Sequence, residues 1–302
     1  MSWIFYALGA RFLWAWTNIA DKYILTNKVK NPLVYLVMGF LVDGVLIPIW
    51  FFFDFFWYGW LNFWLIVLAS ILFFIATFFY ILAMQREEVS RINLLWNLMP
   101  LHGLWLSWIF LGEVLEPKQL VALFILLVGS ILAGLHLNIQ KEKIKLTSGF
   151  WLMLISTLFF VGCDVVTRYV TKHGVVALQM AGYQLFILPV LAGLFFFFKK
   201  FRRQFALEKK SYTWQVLLLL VIIALLSRTG VFLNIKAISQ GHISLINVLE
   251  GAQSIMVFVL AILLTLLAPK YIKEEWDKKN LLLKLMALIL MVVGIVVLNV
   301  KW

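Results

Sequence analysis

Cysteine and charge are both scarce in this sequence, and each scarcity limits what the chain can be. Of 302 residues only Cys163 is a cysteine, which rules out an intrachain disulfide and a cysteine-based metal cluster. Charged residues make up 13% of the chain, about half their share in a soluble domain. The hydrophobic residues, 64% of the total, recur in runs of about 20, the length that crosses a bilayer's hydrocarbon core. These features predict an integral membrane protein.

Motifs of the common enzyme and ATP-driven classes are missing as well. The sequence contains no Gly-rich phosphate loop, no His-Glu-x-x-His and no Gly-x-Ser-x-Gly. We therefore expect neither an enzyme nor an ATP-driven pump, and we expect no cofactor and no metal. The basic leader and small-residue cleavage site of a signal peptide are also missing, so we interpret residues 3–25 as the first membrane helix.

Apolar runs separated by polar breaks predict ten helices, and none shows the apolar–polar alternation of a barrel strand. We therefore expect an all-α integral membrane protein with ten transmembrane helices. The predicted spans, numbered 1 to 10, are residues 3–25, 33–53, 60–83, 91–112, 118–138, 148–170, 175–198, 213–238, 244–268 and 281–300.

The net charge of +12 is distributed unevenly between the loops. If successive helices cross the membrane in alternation, nearly all loop lysines and arginines fall on one side. Only Lys118, Lys172 and Lys301 fall on the other. The positive-inside rule assigns the basic side to the cytoplasm and both termini to the outside of a plasma (inner) membrane. The basicity is then a topological signal, and we expect no nucleic-acid partner.

An internal repeat links the two halves of the chain. Residues 88–98 read EVSRINLLWNL and residues 242–252 read HISLINVLEGA, and the flanking helices match in the same order. The matched positions are Asn18, Lys22 and Tyr23 with Asp164, Arg168 and Tyr169; Asp43 and Pro48 with Gln184 and Pro189; and Ser90 and Asn93 with Ser244 and Asn247. The match predicts two five-helix repeats, 1–140 and 141–302. Because five is odd, the second repeat is inverted, which is the architecture of alternating-access transporters.

The segment 80–115 resembles the end of an EamA-type domain of the drug/metabolite transporter superfamily. Its motif positions are Tyr80, Ala83, Ser90, Pro100, Gly112 and Glu113. The second copy keeps Ala237 and Ser244, but it has Asn234 in place of the tyrosine and lacks the Gly-Glu pair. The resemblance covers essentially the whole chain as two tandem domains. It implies a ten-helix transporter of small organic solutes, often an exporter of amino acids or related metabolites, and it does not specify the substrate.

Charged side chains inside predicted spans are costly, about 2.5–3.5 kcal/mol each on insertion scales, so each is a candidate functional group. Asp43 lies near the middle of predicted helix 2, beside Pro48, which frees a backbone carbonyl and favours a kink. Arg228 and Arg11 are in mid-span, and arginine stays charged, so each needs a carboxylate, a water-filled cavity or an anionic group. Asp43 could bind substrate, or it could form a structural ion pair with Arg11 or Arg228.

Polar and aromatic residues of other helices complete the predicted substrate site. Glu250 lies inside predicted helix 9, where its carboxylate could bind an ammonium group or carry a coupling proton. Gln253 is one turn deeper on the same stripe. Gln184, the repeat counterpart of Asp43, is expected to face the same cavity. Asn97 and Trp14 are the remaining candidates.

A second group is predicted at gates or helix ends, and it consists of Asn18, Lys22, Asp164, Arg168, Ser90 and Ser244. Asp164 and Arg168 lie four residues apart and could pair with one another. Ser90 and Ser244 are interpreted as N-caps, with Asn93 and Asn247 completing imperfect capping boxes.

These features favour a secondary-active exporter working by alternating access. Asp43 and Arg228 would hold opposite charges of a small polar or zwitterionic metabolite such as an amino acid, with Glu250 or Asp43 as the coupling site. The alternatives are a transporter of nucleotide-sugars or other phosphorylated metabolites, and a lipid scramblase with a polar furrow open to lipid. The expected partners are a small-molecule solute, H⁺ as coupling ion and the lipid bilayer, and the protein could be a monomer or a homodimer.

Overall fold

The polypeptide is almost entirely helical in the computed structural model, which describes residues 2–50, 55–112, 117–138, 143–241, 243–267 and 278–299. Its α-helices are α1 (Ser2–Asn27), α2 (Pro32–Asp43), α3 (Ile47–Trp50), α4 (Gly59–Arg86), α5 (Val89–Leu95), α6 (Leu98–Leu111), α7 (Pro117–Gly134), α8 (Ser148–Lys172), α9 (Ala177–Gly193), α10 (Lys199–Glu208), α11 (Trp214–Gln240), α12 (Ile243–Val248), α13 (Glu250–Leu267) and α14 (Lys278–Asn299). Short 3₁₀ turns occupy Gly44–Leu46, Leu194–Phe197 and Lys209–Ser211, and strands β1 (Leu135–Asn138) and β2 (Lys143–Leu146) form one antiparallel hairpin.

Six helical stretches in the described part of the chain are long and apolar enough to cross a membrane. They are Pro32–Trp50, Gly59–Arg86, Ser148–Lys172, Ala177–Phe197, Trp214–Gln240 and Glu250–Leu267. The protein is therefore a multi-pass helical membrane protein, as the composition predicted. Predicted helices 1, 4, 5 and 10 are also helical over most of their described residues, and the total of ten spans stays a prediction.

Local sequence signals explain where two of the spans begin. Asn31 precedes α2, and its side-chain oxygen accepts hydrogen bonds from two backbone N–H groups of the first turn. Pro32 occupies the first helical position, where a missing N–H group costs nothing. Thr147 caps α8 in the same way by accepting a hydrogen bond of 3.3 Å from the backbone N–H of Phe150.

Three predicted helices are interrupted inside the membrane. Pro48 cannot donate to the carbonyl of Gly44, which instead accepts from the residue before the proline, and α2 gives way to a 3₁₀ turn. The predicted disruption at Pro48 is thus confirmed. Pro100 likewise cannot donate to the carbonyl of Trp96. That carbonyl instead accepts a hydrogen bond of 2.9 Å from the backbone N–H of Met99, where α5 gives way to α6. Predicted helix 9 divides at Leu249 into α12 and α13.

Two basic linkers are more ordered than a loop. Predicted helix 5 ends at Gly134 rather than at residue 138, and β1 and β2 follow it with Leu135 opposite Leu146. The linker between predicted helices 7 and 8 contains α10, in which Phe201 is buried while the neighbouring lysines and arginines are exposed.

Loops that are distant in sequence meet at one end of the bundle, here called the basic end. The backbone N–H of Asn31 donates to the Glu208 carboxylate at 3.1 Å, and the Tyr212 hydroxyl donates to a carbonyl of α2. Lys284, near the start of α14, lies 2.5 Å from the carboxylate of Glu88. At the opposite end, here called the distal end, the Tyr183 hydroxyl donates to a carbonyl before α4.

Helix packing follows one pattern in both halves of the chain. Helix α1 packs along α11 and also contacts α13, while α8 packs along α4 and also contacts α6. Helices α2 and α9 pack on one another, and so do α7 and α14. If α1, α4 and α6 correspond to α8, α11 and α13, each of these contacts has a counterpart in which the two halves change places.

The distribution of side chains is that of a protein surrounded by lipid. Phe5, Phe110 and Phe124 are each about two-thirds exposed or more, on helices α1, α6 and α7. Such large exposed apolar surfaces are unusual in soluble monomers. Charged side chains such as Arg11 and Asp43 are buried between the helices instead. The interior of the bundle therefore holds the polar chemistry.

Candidate functional site

A cavity of about 170 Å³ lies between α1, α2, α4, α6, α8, α9, α11 and α13. It collects most of the residues predicted for substrate binding together with two predicted at helix ends. Those that line it are Trp14, Asn18, Asp43, Asp164, Gln184, Arg228, Glu250 and Gln253. Arg11, Asn97, Lys22, Arg168 and Ser90 are outside its lining.

Asp43 and Arg228 form an ion pair between α2 and α11. The Arg228 guanidinium donates from Nε at 2.8 Å and from Nη2 to one oxygen of the Asp43 carboxylate. The same guanidinium lies over the rings of Phe40 and Phe73, with its central carbon 5.5 and 5.7 Å from their centroids. Of the two partners that the sequence left open for Asp43, the structure selects Arg228.

Arg11 and Glu250 form a second ion pair, between α1 and α13. An Arg11 Nη2–Glu250 Oε1 distance of 2.6 Å joins two side chains that are almost completely buried. Arg11 also donates to the side-chain oxygen of Asn234 at 2.6 Å, and its guanidinium lies 5.1 Å from the centre of the Trp14 ring. Arg11 therefore supports the cavity from behind Glu250 rather than lining it.

Asp164 lies beside this second pair. Its carboxylate is close enough to Arg11 and Glu250 for the three charges to interact. Arg168, four residues further on, donates at 2.5 Å to the carbonyl of Ile238, and the predicted Asp164–Arg168 pair is not among the described ion pairs. One guanidinium thus faces two carboxylates, which leaves an excess of negative charge on this side of the cavity.

A chain of neutral polar side chains crosses from α1 to α13. The Asn18 amide donates to the side-chain oxygen of Asn93 at 2.7 Å, and the Gln253 amide donates to the same oxygen at 3.2 Å. The Ser254 hydroxyl donates to the Asn93 carbonyl and accepts from Asn97 at 2.9 Å. The interpretation of Asn93 as part of a capping box was wrong, because its side chain points into the bundle instead of to the helix end.

Gln184, the repeat counterpart of Asp43, faces the same cavity as Asp43, as the sequence predicted. Its amide approaches the sulfur of Cys163 at 3.9 Å, and both side chains line the cavity. Trp14 lines it too, with its indole N–H 3.4 Å from the carbonyl of Ser227.

Lys22 and Arg168 hold helix ends on opposite sides of the bundle. The Lys22 ammonium donates to the carbonyls of Met84 and Glu87 at 2.8 and 2.5 Å, where α4 ends near the basic end. Arg168 makes the equivalent contact at the end of α11. Cations at helix C-termini stabilise carbonyls that have no helical partner. Lys22 in this way joins α1 to α4 in the first half of the chain, and Arg168 joins α8 to α11 in the second.

The predicted N-caps are placed differently. Glu88 is the N-cap of α5, so Ser90 belongs to the first turn and its interpretation as a cap was wrong. The reason is that the extended backbone conformation ends at Glu88, two residues before the serine. Ser244 lies inside α12, with a side chain outside the described residues.

Asp21 is a functional candidate that the sequence did not single out. Its carboxylate accepts hydrogen bonds from the hydroxyls of Tyr35, at 2.5 Å, and Tyr80, at 3.3 Å, and all three side chains line the cavity. The neighbouring Lys22 made Asp21 resemble a residue at a solvated helix end. Asp21 lies three residues after Asn18, so both side chains lie on the same face of α1, and this spacing could have identified Asp21 as a residue of the site.

Several polar atoms on the cavity wall have no hydrogen-bond partner among the described residues. Two are donors, Nη1 of Arg228 and the indole Nε1 of Trp96. Two are acceptors, Oδ2 of Asp164 and Oε1 of Gln253. Buried polar atoms are normally paired, so these four are the positions where a bound solute could contribute the missing partners. No group of three metal-ligating side chains is found in the described residues.

Comparison with known proteins gives a family match over the first part of the chain and a likeness of fold over nearly all of it. Residues 1–135 match the model of the EamA-like transporter family, which confirms the resemblance over the first of the two predicted domains. A crystal structure of a protein aligns over 99% of this chain and 96% of its own length, with a TM-score of 0.64 and 18% identity. That likeness concerns the fold alone. No curated protein matches the sequence.

Proposed function

Because residues 1–135 match the EamA-like transporter family, we propose that this protein is a secondary-active exporter of a small zwitterionic metabolite such as an amino acid. Two inverted five-helix repeats, 1–140 and 141–302, would give the cavity alternating access to the two sides of the membrane. The matching helix contacts of the two halves support this arrangement. So do the contacts of Lys22 and Arg168, which fasten helices within one repeat and let each repeat move as a unit.

The observation that carries the proposal is the set of unpartnered atoms in the cavity. Nη1 of Arg228 and Nε1 of Trp96 are donors suited to a carboxylate. Oδ2 of Asp164 and Oε1 of Gln253 are acceptors suited to an ammonium group. Donors and acceptors together fit a solute that carries both groups. The role predicted for Asp43 changes accordingly: it orients Arg228, and Asp164 takes the ammonium.

Charge and volume favour this solute class over a phosphorylated one. Among the described residues that line the cavity, Arg228 is the one arginine or lysine, whereas Asp21, Asp43, Asp164 and Glu250 are acidic. A nucleotide-sugar carries negative phosphates, which this wall would repel. The volume of about 170 Å³ lies below the roughly 300–1,000 Å³ of sites for drug-sized ligands. A small amino acid is closer to that size.

Proteoliposome uptake tests the proposal. The panel contains neutral amino acids, the amines and carboxylic acids that each lack one of the two groups, and a nucleotide-sugar. We expect saturable uptake of solutes with both groups and little uptake of the others. Equal uptake of amine and amino acid would contradict the role of the donors, and uptake of the nucleotide-sugar alone would replace the proposed solute class.

Trp96→Phe is the sharpest variant, since it removes the indole N–H and keeps an aromatic ring. A hydrogen bond to a charged group contributes about 1.5–3 kcal/mol, so we expect KM to rise about tenfold or more. Trp108→Phe is the matched control, because Trp108 is 55% exposed on the lipid-facing surface of α6. An unchanged KM in Trp96→Phe would remove Trp96 from the site.

A further inference from the structure

Asp21 is the carboxylate of the cavity that has hydroxyl partners instead of a cation. We propose that Asp21 binds the proton that is exchanged for the solute, a proposal that rests on the transport function inferred above. Its carboxylate belongs to α1, lines the cavity and accepts hydrogen bonds from Tyr35 on α2 and Tyr80 on α4.

The charged groups around Asp21 are engaged elsewhere. Lys22 follows it on α1, but the lysine ammonium donates to the carbonyls at the end of α4. Arg91 on α5 lies 3.6 Å from the carboxylate of Glu87. The remaining titratable neighbours are tyrosines, with Tyr212 close to Tyr35 on the side of α11. Protonation of Asp21 therefore leaves no buried cation without its counter-charge.

Glu250 and Asp43, the coupling sites expected from the sequence, differ in this respect. Glu250 is paired with Arg11, and Asp43 is paired with Arg228. Neutralising either carboxylate would leave a buried guanidinium without its partner, which is strongly destabilising. Arginine cannot release its own proton in compensation. These two carboxylates are suited to stay charged throughout a transport cycle.

Tyr80 gives Asp21 a way to gain and lose a proton without losing its hydrogen bonds. When Asp21 is charged, the Tyr80 hydroxyl donates to it at 3.3 Å. When Asp21 is protonated, its new O–H needs an acceptor, which the Tyr80 oxygen provides. The Tyr80 hydrogen then turns to the side-chain oxygen of Asn18, which lies 2.9 Å away. The proton enters as H⁺ and forms an O–H bond on the carboxylate, and it leaves by the reverse step.

The same hydrogen bonds connect Asp21 to the proposed solute site. Asn18 donates to Asn93 at 2.7 Å, and Gln253 donates to the same Asn93 oxygen at 3.2 Å. Gln253 also carries one of the unpartnered acceptors of the cavity. A change in the direction of the Tyr80 hydroxyl therefore alters hydrogen bonds along a chain that ends at an atom facing the solute. This chain links protonation on the first half of the protein to α13 on the second.

Infrared spectroscopy of the purified protein in lipid nanodiscs tests proton binding without any solute. In a pH titration of the protonated-carboxyl band we expect one component in the wild type that is missing in Asp21→Asn. Glu208→Gln is the matched control, because Glu208 is an acidic residue of the basic end that lies outside the cavity, and it should keep that component. Tyr80→Phe retains the carboxyl group but removes one of its hydrogen bonds, so it should displace the midpoint of this titration along the pH axis. It therefore tests the proposal even if Asp21→Asn does not fold.

Identical titrations of the wild type, Asp21→Asn and Tyr80→Phe would overturn the proposal.

Coupling is then measured with a pH-sensitive dye inside proteoliposomes while an amino acid is added outside. The wild type and Glu208→Gln should move protons out of the liposomes in exchange for the entering solute, and Asp21→Asn should lose the proton signal. If the wild type moves no solute of the panel, the transport function fails while the infrared titration still decides the proton site. Solute flux without proton movement in the wild type would overturn the coupling.

Discussion

Arg11 and Glu250 hold two opposite charges 2.6 Å apart in a part of the bundle that is closed to solvent. Removing one member of a buried pair exposes the protein to the full desolvation cost of the other, whereas removing both does not. The stability of this protein should therefore depend less on the presence of the pair than on its completeness.

Arg11→Met should destabilise the protein by about 3–5 kcal/mol, since Glu250 then remains buried without its counter-charge. The double variant Arg11→Met/Glu250→Gln should recover a large part of that loss. Thermal unfolding of the purified variants in detergent measures both. A double variant that is as unstable as the sum of the two single variants would show that the charges do not interact.

At this scale, charge and depth singled out residues that the structure buries in or beside the cavity, but they did not give all of their contacts. Asp43, Arg228, Arg11 and Glu250 could be predicted because charge inside an apolar run is conspicuous. Their pairing could not be, because the partners belong to different halves of the chain. Asp21 was missed because it stands beside a lysine, and a sequence does not show that the two side chains point in different directions.

Helices α5 and α6 form one predicted helix that is interrupted where Trp96 enters the cavity wall. The interruption follows from Pro100, which leaves the carbonyl of Trp96 without its normal helical donor. The break therefore lies at the residue whose indole N–H we assign to the solute.

Pro100→Ala should raise thermal stability and lower transport. Alanine is about 3 kcal/mol more favourable than proline inside a helix, and a continuous helix would turn Trp96 away from its present position. Pro117→Ala is the matched control, since Pro117 is the first residue of α7, where proline is tolerated. Unfolding temperature and KM are the two measurements. Unchanged transport in Pro100→Ala would mean that the break has no role in the site.

The elements themselves were largely predictable, because runs of apolar residues and their polar breaks report directly on helix ends in a membrane. The turn at Pro48 was expected from the chemistry of proline. The helix α10 and the strands β1 and β2 were not expected. They lie in basic linkers whose charge reports on topology, and their apolar pattern extends over too few residues to indicate a helix or a strand. The division at Leu249 has no proline to mark it.

At the scale of the whole molecule, the loops gather at two ends that differ in charge. The basic end contains Lys28 and the cations of α10, whereas Lys172 is the last residue of α8 and lies towards the distal end. The orientation of these ends in the membrane is predicted from charge alone, with the basic end in the cytoplasm.

A membrane-impermeant thiol reagent tests this orientation in intact cells. Lys172→Cys should label without permeabilisation, and Lys28→Cys should label only after it, because both positions are exposed at opposite ends. The native Cys163 is 5% exposed, so the unmodified chain serves as a control with little background. Labelling in the reverse order would invert the orientation and the assignment of both termini.

The two ion pairs of the interior have a further consequence, for the order in which the chain can be assembled during synthesis. Asp43 and Arg228 are 185 residues apart, and each lies in a different half. At about 5–20 residues per second, the ribosome makes Arg228 roughly 10–40 s after Asp43. Throughout that interval the carboxylate of α2 has left the ribosome without its partner. The first five helices therefore cannot reach their final packing as an independent unit before α11 has been made.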